Sequence, residues 1–247
     1  MNQNNLILVN NKYGKINYFK NDYYIAKEAE NNKFFEESTI VQFVGDILKK
    51  SKVVLDIGAH AGSHTILYKS INPNLTIYSF EPQKNMFDLL SYNVELNSLK
   101  DVYLYNKALG HKNFKTSLSN KSVEPDREFE VSYDLGTPSN LGGIGFGGGG
   151  EIVDVDTIDS LNLTSCDYIK IDVEGAENLV LIGGINTISK FKPIIWFESN
   201  HKSLSPEDLL SLGVNEPIKT IYDILLDLGY NNFIKINEAN YLASVKS

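Results

Sequence analysis

The chain reads as an α/β protein built on a doubly wound, mainly parallel, seven-stranded sheet of Rossmann-like type, and three observations predict it. Short apolar runs rich in β-branched and aromatic residues recur at residues 53–57, 76–80, 102–106, 168–172 and 194–198, as strands buried on both faces require. Segments of helical period, residues 85–96 and 176–181 among them, separate most of these runs, and strands alternating with helices make parallel sheets. Four of the runs end in or beside an acid, Asp56, Glu81, Asp172 and Glu198, on the rim where doubly wound sheets hold their ligands.

In chain order, residues 6–9 and 16–19 flank Asn10-Asn11-Lys12-Tyr13-Gly14 and predict a hairpin within an N-terminal extension, residues 1–37. The core, residues 38–247, opens with Ser38 and Thr39 as caps of a helix that reaches about residue 49. After Pro217 a helix runs to about residue 228. Residues 232–236 and 241–245, joined by Asn237-Glu238-Ala239-Asn240, then close an antiparallel hairpin on the sheet edge. With 247 residues and 42% hydrophobic content, one domain spanning 1–247 is expected. The rhythm breaks at about 112–150, read as a long loop without strands that ends Asn140-Leu141-Gly142-Gly143-Ile144-Gly145-Phe146-Gly147-Gly148-Gly149-Gly150. Placed before the fourth core strand, it is expected to act as a lid over an acceptor, with residues 140–143 the ordered part, because a glycine run costs entropy to order.

The turn after the first core strand carries the most chemistry. Leu55-Asp56-Ile57-Gly58-Ala59-His60-Ala61-Gly62-Ser63-His64-Thr65 passes from strand to glycine turn to helix, and Tyr78-Ser79-Phe80-Glu81-Pro82 delivers a carboxylate about 20 residues later, the separation at which ribose hydroxyls are read. An adenosine-bearing ligand is implied. A pyrophosphate site needs G-x-G-x-x-G, whereas the glycines here are spaced G-x-x-x-G and Asp56 would repel phosphate. S-adenosylmethionine suits the turn better, since it has no phosphate and its tail carries an ammonium. The candidate cofactor contacts are Asp56, Gly58, Ala59, His60, Gly62, Ser63, His64, Glu81 and Pro82, with the two glycines expected to let the backbone approach the ligand.

Ile169-Lys170-Ile171-Asp172-Val173-Glu174-Gly175-Ala176-Glu177 places more acids at the end of the fourth core strand. Asp172 and Glu174 are expected to form the acidic wall of a catalytic crevice, because acids are seldom buried unless paired or functional. Glu177 is read only as favouring the first helical turn. Trp196-Phe197-Glu198-Ser199-Asn200-His201 adds Glu198 and His201 as secondary catalytic candidates, and Asp172, Glu198 and Asn200 offer oxygen ligands for Mg2+ or Mn2+.

The net charge of −8, with no Lys/Arg-rich block, argues against nucleic acid as a partner. The single Cys166 excludes an intrachain disulfide, and four histidines without a thiolate cluster give no structural zinc site. No basic region feeds an apolar run at the N-terminus, and no stretch reaches roughly 18 uninterrupted apolar residues. A soluble cytoplasmic protein is expected.

These motifs, with Asn106-Lys107-Ala108-Leu109-Gly110 and Phe197-Glu198, resemble the FkbM-type S-adenosylmethionine-dependent methyltransferases in order and spacing over roughly residues 40 to 200. Ile171-Asp172-Val173-Glu174-Gly175-Ala176-Glu177 is the most specific element. The resemblance implies a class I methyltransferase fold and O-methylation, of a sugar hydroxyl or a polyketide-type metabolite, so that the expected partner is a small-molecule or glycan acceptor. By position it implies that Asp56, Gly58, Gly62 and Glu81 hold the cofactor, that Asn106 and Ala108 lie near its adenine, and that Asp172 borders the active site and contacts the cofactor. His60 stands where the family commonly has asparagine, and the run from Gly147 to Gly150 is unusual. A sulfonium methyl is already activated, so such an enzyme must align the reacting atoms and exclude water. A carboxylate acting as base would add about 10²–10⁴-fold, and an ion held by carboxylates is the alternative. Two other classes stand beside this one. An NAD-dependent oxidoreductase is opposed by the missing third glycine, and a cofactor-binding regulatory protein without turnover would retain every motif named.

Overall fold

The computed structural model describes residues 3–124, 127–130, 139–199, 204–215 and 217–246, the side chains of residues 3 and 122–130 excepted. Strands β1 (Leu6–Asn11) and β2 (Gly14–Phe19) pair antiparallel from Leu6 opposite Phe19 to Asn11 opposite Gly14. Helices α1 (Tyr23–Glu30), α2 (Glu37–Phe43) and α3 (Gly45–Lys50) follow. The single helix expected from Ser38 and Thr39 is thus two, capped earlier, at Glu36, and interrupted at Val44, where Gly45 is a weak helix former.

The core then alternates: β3 (Val53–Ile57), α4 (Ser63–Ile71), β4 (Thr76–Phe80), α5 (Lys84–Leu96) and β5 (Val102–Tyr105). A side excursion contains β6 (Ala108–Leu109), β7 (Phe114–Ser117), β8 (Lys121–Glu124), β9 (Arg127–Glu130) and β10 (Ile152–Asp156). The chain returns through β11 (Tyr168–Ile171), α6 (Glu177–Ile182), α7 (Ile185–Phe191) and β12 (Ile194–Glu198). It ends with α8 (Pro206–Ser211), α9 (Ile221–Asp227), β13 (Asn232–Lys235) and β14 (Asn240–Ser244). Ser205 and Thr220 each form a capping box with the aspartate three residues on, which fixes the starts of α8 and α9.

Seven strands make the main sheet in the order β13-β14-β12-β11-β3-β4-β5, parallel except for β14, which runs antiparallel to both neighbours. From β3 the chain winds outward through β4 to β5, then crosses back to β11 on the other side of β3. The strand order therefore reverses between β3 and β11, the place where open α/β sheets leave a crevice. Side chains alternate across the sheet into two cores. Tyr168 and Trp196 face the side covered by the hairpin and α4, with Ile16, Tyr18 and Phe34; Ile169, Ile171, Ile195 and Phe197 face the side covered by α6, α7 and α9. Asn93 ties the hairpin down: its side chain accepts from the Asn17 amide at 2.8 Å and donates to the carbonyls of Asn17 and Ala61, each at 2.9 Å.

The segment at 112–150 departs from the strandless loop expected. β10 pairs antiparallel with β7 and parallel with β6, and β8 with β9 forms a separate hairpin. Apolar burial explains it: Ala108, Leu118, Ile144, Val153 and Val155 bury one another in a small core of their own. Among the described residues no helix is long and apolar enough to cross a membrane.

Candidate active site

A cavity of about 300 Å³ opens at the strand-order reversal, floored by the turn from Ile57 to His60 and by Ser63 and His64. Gly58 has φ 79, and a Cβ there would sit 1.8 Å from the carbonyl oxygen of Asp172. Only glycine passes this point. The close approach expected between this glycine and a ligand is therefore first an approach to the neighbouring strand's backbone. Gly62, φ 93, lies under Leu90 and outside the cavity lining, so its freedom serves the start of α4.

Asp56 is fully buried and also absent from the lining. Its Oδ2 accepts from the Thr65 hydroxyl at 2.6 Å, and that hydroxyl lies 2.7 Å from the Ser79 hydroxyl. Because Asp56 is the register partner of Lys170 across β3 and β11, the lysine stands between two acids: Nζ is 3.7 Å from Asp56 Oδ1 and 3.3 Å from Asp172 Oδ2. Nζ also donates to the Gly58 carbonyl at 2.6 Å. Burial by itself lowers an ammonium's pKa, but Asp172 and Asp56 outweigh it and hold Lys170 above the usual lysine value. The same balance seen from Asp172 has burial raising its pKa while Lys170 and His64 prevail, so it stays ionised below the ordinary aspartate range. Asp56 thus lies beneath the turn and outside the cavity lining, where the sequence had suggested a cofactor contact.

At the end of β4, Glu81 lines the cavity with only 3% of its surface exposed. Its Oε2 accepts from the His60 amide and its Oε1 from the Gln83 amide, each at 2.9 Å. Burial pushes its pKa up, opposed by His60 and these amides. The carboxylate is fixed in orientation, and each oxygen keeps a lone pair for a further donor. Asn106, outside the lining, donates from its side chain to the carbonyls of Glu81 at 3.0 Å and Pro82 at 2.8 Å and so shapes the turn behind them. Pro82, Ala108 and Leu109 line the adjoining wall.

The opposite wall is acidic. Asp172, Glu174 and Glu198 each bring an oxygen within 4.8 Å of the others. Glu177 shapes this wall instead of merely favouring the first turn of α6: its carboxylate takes the amide of Val173 at 3.1 Å and that of Gly175 at 3.1 Å, and burial pushes its pKa up to about 7. The extension before the core, which the sequence did not connect with the site, supplies the roof. Asp22 Oδ2 lies 3.2 Å from His60 Nε2, and Glu36 Oε2 lies 3.1 Å from His64 Nε2. Glu36, His60 and Glu174 hold φ values of 56, 52 and 57, a left-handed backbone that costs non-glycine residues about 1–3 kcal/mol. Leu118, Asn140, Gly142, Ile144, Gly145 and Phe146 close the remaining side. Gly147, Gly148 and Gly149, at φ 102, 73 and 74, form a turn stitched to the Ser117 carbonyl by the Gly147 amide and to the Leu118 carbonyl by the Gly150 amide.

Of the sequence candidates, Gly58, Ala59, His60, Ser63, His64, Glu81, Pro82, Ala108, Asp172, Glu174 and Glu198 meet in this one cavity, whereas Asp56, Gly62 and Asn106 stand behind it. Asn200 and His201 lie outside the described residues. Asp22, Glu36, Gln83, Lys170 and Asn240 line the cavity without having been singled out. For Lys170 a signal existed, since a lysine inside an apolar strand must be paired.

Likeness to known proteins shows the family and the fold. The methyltransferase FkbM domain matches residues 56–231. The chain is similar to the 2-O-methyltransferase NoeI of Sinorhizobium fredii (strain NBRC 101917 / NGR234), 26% identical over 195 residues that make up 74% of this chain and 75% of that protein. It is also similar in fold to the crystal structure of methyltransferase FkbM from Methylobacillus flagellatus KT, with a TM-score of 0.53 and 17% identity over 83% of this chain. The chain spans about half, 47%, of the length of that structure.

Proposed function

The chain belongs to the FkbM family of S-adenosylmethionine-dependent methyltransferases, and on that premise we propose that it methylates oxygen, at a hydroxyl of a sugar, a glycan or a small hydroxylated metabolite. The observation that carries this is Glu81, a carboxylate oriented by two backbone amides, facing an acidic wall of Asp172, Glu174 and Glu198 across a single cavity. Glu81 would accept the ribose hydroxyls, the turn from Gly58 to His60 would carry the methionine end, and Pro82, Ala108 and Leu109 would flank the adenine. When bound, the cofactor supplies a methyl group already activated by its sulfonium.

The remaining work falls to the chain. Leu118, Ile144 and Phe146 exclude water from the cavity and, as parts of the segment before β10, act as the acceptor's lid. Asp172, Glu174 and Glu198 bind and orient the acceptor hydroxyl. A general base works best with a pKa near the working pH, and Lys170 holds Asp172 well below that, so Asp172 acts as a fixed negative charge and the proton leaves through Glu174, Glu198 or solvent. Asp172, Glu174 and Glu198 also have the oxygen donors for one Mg2+ or Mn2+ ion, but the Lys170 ammonium at 3.3 Å already supplies Asp172 with a counter-charge. Oxygen as the atom methylated is favoured by the likeness to the 2-O-methyltransferase of Sinorhizobium fredii. NAD is the weaker reading, because a pyrophosphate would meet an acid-lined cavity.

The test is a screen of neutral glycosides and hydroxylated metabolites with methyl-labelled S-adenosylmethionine. Label appearing as a methyl ether on an acceptor bears the proposal out. Tight cofactor binding without transfer to any acceptor would favour a regulatory protein.

A further inference from the structure

Resting on the reading of this cavity as the methyl-transfer site, we propose that it selects acceptors by charge, taking neutral or cationic hydroxylated molecules and rejecting those that carry a carboxylate or phosphate near the methylated hydroxyl. Among the described residues the cavity is lined by six carboxylates, Asp22, Glu36, Glu81, Asp172, Glu174 and Glu198, and by two lysines, Lys107 and Lys170. Each lysine is already paired with an acid. Lys170 is 3% exposed and engaged by the Gly58 carbonyl, Asp56 and Asp172; Lys107 Nζ lies 2.6 Å from Asp156 Oδ2. The two histidines each face an acid, His60 beside Asp22 and His64 beside Glu36.

The acids away from Glu81 form one connected wall. Asp172, Glu174 and Glu198 cluster within 4.8 Å, Glu198 pairs in register with Asn240 across β12 and β14, and the Asn240 side chain donates to Glu36 Oε1 at 3.4 Å. A bound sulfonium offsets one of these charges. With six carboxylates against two lysines the described lining carries an excess of negative charge, which would repel an anion, whose oxygens would lose water and meet mostly acceptors. Hydroxyls and ammonium groups are donors, and the carboxylates of this lining can receive them. This extends the proposed function to a substrate class: polyhydroxyl or amino-sugar acceptors are admitted, and uronic acids and sugar phosphates are not.

The experiment uses matched trios on several sugar rings, namely a neutral methyl hexoside, its uronic acid and its amino-sugar counterpart, with 6-phosphates as a second anionic set. Methyl transfer is measured on each, and saturation-transfer NMR reads binding of the same molecules to protein loaded with S-adenosylhomocysteine, the demethylated cofactor. Neutral or amino members should exceed their anionic partners by at least roughly tenfold in kcat/KM or in binding. Glu36→Gln should narrow that gap. An anionic member that binds or reacts as well as its neutral partner overturns the proposal, whereas the absence of anion binding agrees with it. If S-adenosylhomocysteine binds and no trio member is methylated, the methyl-transfer reading suffers while the NMR comparison still decides charge selection.

Discussion

Lys170 sets the charge pattern of the cavity, since it alone stands between Asp56 beneath the turn and Asp172 on the acidic wall. Asp172→Asn removes the negative charge while keeping the size, so turnover should fall by orders of magnitude while S-adenosylhomocysteine affinity stays near wild type. Near-normal turnover of a folded variant would pass the role to Glu198. Because Lys170 fills the place of a counter-ion, activity is expected to survive EDTA; loss on chelation and recovery with magnesium or manganese would show an ion instead. Glu81→Ala should weaken cofactor binding by roughly 1.5–3 kcal/mol, the worth of charged hydrogen bonds, as read by calorimetry. Glu177 makes a pH prediction. Below about 4.5 it is protonated both folded and unfolded and changes nothing; as pH rises to about 7 the unfolded chain releases the proton first, so stability is lost across that window. The full penalty above pH 7 is roughly 3 kcal/mol. Glu177→Gln should therefore gain stability relative to wild type between pH 4.5 and 7 in denaturant titrations, and a pH-independent difference would contradict it. The places of Glu81 and Asp172 at the cavity were legible because each stands at the end of an apolar strand. Those of Asp22 and Glu36 were not, because they reach the site only through long-range packing with His60 and His64.

At the scale of elements, the strands buried on both faces announced themselves, and 53–57, 76–80 and 194–198 match β3, β4 and β12. β7 and β10 did not, because each is short and its partner lies more than 30 residues away, beyond the reach of a local pattern. The glycine run, read as costly to order, folds as a turn precisely suited to positive φ, hydrogen-bonded back to residues 117 and 118. Replacing Gly147 and Gly148 by alanine imposes a left-handed strain of roughly 1–2 kcal/mol each and should shift the lid. Acceptor KM should rise and kcat fall while S-adenosylhomocysteine affinity changes less than about twofold. Unchanged acceptor kinetics would make the segment a passive excursion.

For the whole molecule, parallel alternation and the antiparallel edge hairpin predicted the main sheet, and the strand-order reversal between β3 and β11 then dictated where the cavity had to be. What that topology cannot specify is the acceptor, which depends on side chains converging from the extension, the excursion and the sheet rim. The central claim, that one cavity joins a cofactor reader at Glu81 to an acidic acceptor wall at Asp172, is tested most directly by following labelled methyl from S-adenosylmethionine onto an acceptor hydroxyl with wild-type and Asp172→Asn protein side by side. A methyl ether formed by the wild type, and a variant that binds S-adenosylhomocysteine normally yet transfers orders of magnitude more slowly, is the predicted result. Equal transfer by both proteins, or NAD binding as tightly as S-adenosylmethionine, would contradict it.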